Sequence, residues 1–234
     1  NSWGTGRAVN GYTTITYGTS LVGFAANYVT LPMNRPARAR LPLVLNTYGS
    51  AGGLRNGDFE NGRDGSWSEY SSNGWSLILP GSSIPVDPHS GDWAAWLGGD
   101  DNETSILSQV VTVQGDASVL AYWMWSASQD YCGYDYAYVR FGSTTLRTYN
   151  LCDSTNTGGW SYQTVNIAAY RGQSVDMRFV VTTDSSLNSN FFLDDVSFST
   201  TAATAAPAGP AGGLDARVSK ADWGVAGRGA AEDN

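Results

Sequence analysis

Charged residues are scarce, 15% of the chain, and basic ones scarcer still: 13 Lys and Arg against 21 Asp and Glu, a net charge of −8. No basic stripe is present to neutralise phosphates, so nucleic acid is not an expected partner. No run approaches the ~20 apolar residues that a membrane span needs. No secretory signal is visible and the first residue is Asn rather than Met, so the chain reads as a fragment or processed product. Histidine occurs once, at His89, where no partner is evident from the sequence and a loop position is expected. Cysteine occurs twice. Cys132 and Cys152 lie in polar, turn-rich surroundings, which favours a disulfide and an oxidising compartment over two free thiols.

What is abundant is glycine (28), tryptophan (9) and tyrosine (13), the profile of a turn-rich all-β protein. From residue 54 the pattern becomes strand-like, and about nine short strands separated by turn residues are expected up to residue 199. They fall at 55–60, 92–98, 105–113, 118–126, 135–141, 144–149, 160–167, 175–182 and 191–199. Val175, Met177, Phe179 and Val181 alternate with Asp176, Arg178 and Thr182, as in a strand with one buried face. Segment 118–126 is apolar on both faces (Val119, Ala121, Trp123 and Trp125 against Leu120, Tyr122 and Met124) and is expected to be central. Gly142-Ser143 marks a hairpin. The fold class is therefore all-β, a jelly-roll β-sandwich.

The last strand carries an anomaly. Phe192, Val196 and Phe198 share one face by period-2 counting, and Asp194 sits among them. A carboxylate in a core-facing row is costly unless compensated. A hard cation such as calcium is the natural compensator, since it takes carboxylate and carbonyl oxygens. The acidic stretch Asn56-Gly57-Asp58-Phe59-Glu60-Asn61-Gly62 is the expected partner region, with the first and last strands lying close together.

The flanks differ. Residues 1–32 read as a glycine-rich turn, a strand from Tyr12 and a returning segment, too short for a core of their own. Residues 33–53 read as a linker ending in Gly49-Ser50-Ala51-Gly52-Gly53. Residues 200–234 are rich in Ala, Gly and Pro, with little to bury beyond Val218, Trp223 and Val225, and read as disordered.

Two resemblances follow from these residues. Asn1-Ser2-Trp3-Gly4-Thr5-Gly6, then Asn10-Gly11-Tyr12 and Tyr28-Val29-Thr30-Leu31-Pro32, resembles the C-terminal end of papain-like cysteine peptidases. That resemblance implies Asn1 as the His-orienting member of a Cys-His-Asn triad and Trp3 as its shield. The nucleophile and base are not in this chain, because Cys132, Cys152 and His89 all lie in the sandwich. The chain is not expected to be catalytic alone, and its parent's substrate would be polypeptide. The order Asn56 to Gly62, Pro88-His89-Ser90-Gly91-Asp92-Trp93, Leu107 to Val111, Ala169 to Val175 and Phe192-Leu193-Asp194-Asp195-Val196 resembles galactose-binding-like jelly rolls of secreted bacterial hydrolases, near carbohydrate-binding modules and MAM-type domains. It implies a structural calcium held by Glu60, Asp194, Asp195 and the Asp58 carbonyl.

Two functions are consistent with these features. One is the C-terminal part of a secreted papain-like peptidase whose sandwich binds glycan or protein surfaces. The other is a non-catalytic extracellular carbohydrate-binding or adhesive module. A structural subunit of an extracellular assembly is a third, weaker reading. For a glycan platform the candidate aromatics are Trp67, Trp75, Tyr131, Tyr134 and Tyr136, although most aromatics in such a sandwich belong to the core.

Overall fold

The computed structural model describes residues 53–200 and 214–225, together with three short strands before them. Two compact units divide the chain, Asn1–Ala51 and Gly52–Asn234. In the first, β1 (Arg7–Val9), β2 (Tyr12–Thr14) and β3 (Thr30–Pro32) form an antiparallel sheet in the order β1-β2-β3. Asn1, Trp3 and the 33–52 part of the linker lie outside the described residues.

The second unit is a β-sandwich of two five-stranded antiparallel sheets. Its strands are β4 (Ser68–Ser71), β5 (Ile78–Pro80), β6 (Trp93–Gly98), β7 (Thr104–Thr112), β8 (Val119–Ser128), β9 (Asp135–Phe141), β10 (Thr144–Leu151), β11 (Ser161–Asn166), β12 (Ser174–Thr182) and β13 (Ser189–Ser199). One sheet has the order β10-β9-β12-β7-β4 and the other β11-β8-β13-β6-β5. Among the described residues no helix is long and apolar enough to cross a membrane.

Alternation builds the core between the sheets. Ala137, Val139 and Phe141 of β9, Met177, Phe179 and Val181 of β12, and Leu107 and Val111 of β7 meet Leu120, Tyr122 and Met124 of β8 and Phe191 and Leu193 of β13. Each large apolar side chain removed from water here contributes roughly 1.5–3 kcal/mol. The opposite face of β8 carries Trp123 and Trp125, which join Trp96, Trp160 and Phe192 in a second apolar cluster. Both faces of β8 are thus covered, as its composition requires.

Three expectations change. Segment 55–60 is not a strand: Asn56 and Phe59 have φ of 48° and 59°, left-handed values that an extended strand does not use. Phe59 is nevertheless fully buried and anchors that segment to the core. In β13, Phe192 and Val196 do not share a face. The ladder to β8 slips between Asp194 and Ser197, with Asp195 at φ 48°, so a bulge sends Val196 into the inter-sheet core while Phe192 stays in the outer cluster.

The third change concerns the tail. Residues 214–225 are packed, not disordered. Lys220 N–H donates to the Gly99 carbonyl (2.8 Å), and the Asn190 side chain donates to the carbonyls of Ala216 (3.3 Å) and Val218 (3.1 Å). Val225 is buried in the Trp96–Phe192 cluster, and Leu214 and Val218 pack against it. Lys220 itself is fully buried, 3.5 Å from Glu103 Oε1 and 5.8 Å from the Trp96 ring centre. Burial pushes its ammonium down to about 8, against the opposing pull of Glu103.

Removing one partner of a buried ion pair strands the other charge, an effect of roughly 3–5 kcal/mol. Lys220→Ala is therefore expected to lower the unfolding free energy in urea by about that amount, with Lys220→Ala,Glu103→Leu recovering part of the loss. A single-mutant loss under about 1 kcal/mol would show that the docked segment does not stabilise the sandwich.

Candidate functional site

Disulfide chemistry fixes one end of the sandwich. Cys132 and Cys152 are bonded, with Cα atoms 4.9 Å apart, and the bridge ties the β8–β9 connection to the end of β10. On that connection Tyr131 and Tyr134 are exposed, 76% and 60%. A shallow recess of about 360 Å³ beside them is lined by Gln129, Asp130, Tyr131, Cys132, Asp153 and Ser154.

The open face of the β10-β9-β12-β7-β4 sheet begins where that connection ends. Strand register places Thr148, Tyr138, Val180, Ile106 and Tyr70 side by side, one residue from each of the five strands. Beside this row Tyr136 stacks against Tyr138 (centroids 5.9 Å apart, planes 22° apart), and the Arg140 guanidinium lies 4.5 Å over the Tyr138 ring. Arg178 pairs with Asp176 on the neighbouring strand, Nε to Oδ2 at 2.7 Å. Tyr70, at one end of the row, is 52% exposed. Thr148 is exposed and Ile106 and Tyr138 are half-buried, while Val180 in the middle of the row is buried, so what the face presents is a set of tyrosine rings bordered by guanidinium, carboxylate and hydroxyl groups, a surface suited to flat, partly apolar, hydroxyl-rich ligands.

Sequence reasoning named Tyr136 as a candidate aromatic without assigning it a face, and did not name Tyr138, Tyr70 or Arg140. For Tyr138 and Arg140 the signal was the outward parity of β9, which Asp135-Tyr136-Ala137-Tyr138-Val139-Arg140-Phe141 shows once the inward residues are known, whereas Tyr70 sits on β4, whose sequence carries almost no apolar signal. Trp67 is corrected: it is buried, packs 5.5 Å from Phe59, and its indole donates to the Asn56 carbonyl (2.8 Å), so it is core and no platform. Trp75 is partly buried, with its indole committed to Asp100 Oδ2 (2.8 Å).

The expected calcium residues surround another loop. Gly57 C=O accepts from Val196 N–H (2.7 Å), so the start and end of the sandwich are adjacent. Asp194 is fully buried; one oxygen accepts from His89 and Ser90 N–H (2.9 and 3.2 Å) and the other from Asp195 N–H (2.7 Å). Burial, reinforced by the Asp195 charge, pushes its carboxyl up to about 8 against these three donors. Asp195 takes His89 Nδ1 (2.5 Å) and Ser90 Oγ (2.8 Å), and the His89 ring stacks 3.9 Å from Trp123. Glu60 accepts from the N–H groups of Asp92 (2.9 Å) and Trp93 (3.0 Å). Asp58 uses Oδ1 towards Glu60 N–H (3.4 Å).

These residues converge on one loop, 89–93, but as a hydrogen-bonded clamp. Three backbone donors offset only part of the burial of Asp194, whose carboxyl stays pushed up, and Glu60, Asp194 and Asp195 are not among the groups of three acidic side chains whose oxygens lie within 4.8 Å of one another in the described residues. Such a cluster does exist elsewhere among the described residues: Asp130, Asp135 and Asp184 bring oxygens within 4.8 Å of one another, close enough to share a metal ion. Nothing in the sequence linked these three, which meet only through the fold. Burial first, then the charges of Asp130 and Asp184, pushes the Asp135 carboxyl up to about 6.

No family model matches the chain, and no curated protein matches it. Solved structures do. TmCBM61 in complex with β-1,4-galactotriose superposes with a TM-score of 0.44 at 20% identity, over 64% of this chain and 98% of that one. The K1 cleaved adhesin domain of Lys-gingipain from Porphyromonas gingivalis W83 gives 0.47 at 15% identity, over 62% and 96%. A family 16 carbohydrate-binding module gives 0.38 at 18%, over 62% and 98%. These neighbours are carbohydrate-binding modules and an adhesin domain, while the sandwich itself is established by the two sheets described above. The comparisons give no support to the papain-like expectation for residues 1–32.

The clamp makes a prediction. Asp194→Ala leaves three buried N–H groups without their acceptor and is expected to reduce stability by about 3 kcal/mol in urea unfolding. A cost within about 0.5 kcal/mol, as at an ordinary surface position, would show that the 89–93 loop does not depend on it.

Proposed function

We propose that residues 54–199 form a carbohydrate-binding module of an extracellular protein, with the glycan lying across the open face of the β10-β9-β12-β7-β4 sheet. The carrying observation is that strand register brings Tyr70, Ile106 and Tyr138 onto one face, with Tyr136 stacked beside Tyr138. Sugar rings present C–H faces that lie on aromatic rings and hydroxyls that meet charged neighbours, here Arg140, Arg178 and Asp176. The disulfide supports an oxidising, extracytoplasmic setting.

The test is affinity electrophoresis and calorimetry against a panel of soluble polysaccharides, β-1,4-galactan included. Binding to at least one is expected, with Tyr138→Ala weakening it roughly tenfold, about 1.4 kcal/mol. Trp75→Phe, away from the face, should bind as wild type. Absence of binding across the panel, or an unaltered Tyr138→Ala, overturns the reading.

A second reading attaches to the first unit. The antiparallel order β1-β2-β3 directly behind Asn1-Ser2-Trp3-Gly4 favours the end of a papain-like peptidase, in which Asn1 would orient a histidine and Trp3 would cover it. The coding DNA upstream of the Asn1 codon checks it. An open frame encoding a Cys and a His in that family's order is expected, and a stop codon there ends the idea.

A further inference from the structure

Two connections and the start of one strand meet at one end of the sandwich, and each contributes an aspartate. Asp130 lies between β8 and β9, Asp135 opens β9, and Asp184 lies between β12 and β13. Asp135 is fully buried and Asp130 nearly so, at 3% exposure, while Asp184 is only partly buried. Part of their hydrogen-bonding capacity has a use: Asp130 Oδ1 accepts from Tyr131 N–H (2.7 Å), Asp135 Oδ1 from Asp184 N–H (2.7 Å) and Asp184 Oδ1 from Ser186 N–H (3.0 Å), and the Ser189 hydroxyl also supports the Asp135 carboxylate. The rest is not all used. Asp130 Oδ2 and Asp135 Oδ2 are buried without a hydrogen-bond partner.

Two orphaned carboxylate oxygens beside a third carboxylate carry a penalty in both desolvation and like-charge repulsion. No basic side chain relieves it. The ion pairs among the described residues are Arg63–Glu69, His89–Asp195, Arg178–Asp176 and Lys220–Glu103, none involving these three. A bound cation removes both penalties at once. The donor set is all oxygen, which selects a hard cation over a soft one. The 4.8 Å spread of the ligand atoms fits within the ~5 Å that separates opposite ligands of calcium. The recess lined by Asp130 and Asp153 lies beside the cluster, with Asp130 shared by both.

We propose that Asp130, Asp135 and Asp184 bind a calcium ion that fixes the 129–134 loop to the sandwich. The site is distinct from the Glu60–Asp194–Asp195 clamp, whose oxygens are occupied by N–H, O–H and imidazole groups. Its effect is local. It joins the disulfide-bearing connection to the β12–β13 connection, and so holds Tyr131 and Tyr134 in place beside the start of β9. It does not depend on the glycan reading, since its readouts need no sugar.

The experiment uses the full chain, stripped with chelator and titrated with calcium chloride in a calorimeter. Melting curves and chymotrypsin digestion are run in parallel with calcium or chelator. The wild type is expected to bind calcium, to melt higher with it, and to be cut at least tenfold more slowly at Tyr131 and Tyr134. Asp184→Asn, at a partly exposed position where folding is little affected, should weaken calcium binding at least tenfold and make the curves with calcium and with chelator coincide. Glu60→Gln should keep the calcium response. A wild type with no heat of binding and no melting shift overturns the proposal. So does a response that survives in Asp184→Asn and Asp130→Asn alike, or one that Glu60→Gln abolishes.

Discussion

The sandwich depends on the insertion of its last strand into the middle of a sheet. β13 lies between β8 and β6, running from Ser189 opposite Ser128 to Ser199 opposite Val119, and from Asn190 opposite Gly98 to Leu193 opposite Ala95 on its other side. Without it the sheet is two fragments with raw edges. Its side chains also divide the apolar material: Phe191 and Leu193 enter the space between sheets, and Phe192 enters the tryptophan cluster outside. The bulge after Asp194 turns the same strand into the floor of the 89–93 loop. Pairings this distant in sequence carry a large loop-closure entropy before they stabilise anything, which places the fold among the slower-folding topologies.

The two outer faces differ in how they are covered. On the β11-β8-β13-β6-β5 sheet the tryptophans Trp96, Trp123, Trp125 and Trp160 are buried under Leu79, Ile84, Val86 and Val225. On the outward face of the other sheet the aromatic residues are tyrosines, Tyr70, Tyr136 and Tyr138, and Tyr70 is half exposed. Tyrosine is the aromatic that tolerates water, having an apolar ring and a hydroxyl that hydrogen-bonds solvent or ligand. Tryptophan on the covered outer face and tyrosine on the more exposed one is the chemical difference between the two.

Most of the strands were legible because their periodicity is strong. The alternation of Val175 to Thr182, the two-faced apolarity of β8 and the Gly142 turn all carry over into the fold, and the cysteines are bonded as their setting suggested. The failures have specific causes. Ser68-Glu69-Tyr70-Ser71 has almost no apolar signal, because β4 is an edge strand that pairs only with β7. The 55–60 segment has strand composition, but the left-handed backbone at Asn56 and Phe59 is invisible in composition. A bulge reverses parity after Asp194, which no period-2 count can foresee. Asp130 and the first residue of β9, Asp135, meet Asp184 from the β12–β13 connection, so their meeting is a property of the topology and not of any motif.

The buried lysine has a further consequence, for how residues 214–225 know where to sit. This segment is mostly small or polar, and its apolar residues, Leu214, Val218 and Val225, could settle in several nearly equivalent ways on a greasy tryptophan surface. A single ammonium removes that degeneracy. Only one alignment places Lys220 against Glu103 and the face of Trp96; a slip of one residue would leave the charge in hydrocarbon. Lys220 thus works as a key cut for one lock, giving up some binding strength so that the segment can close in one position only.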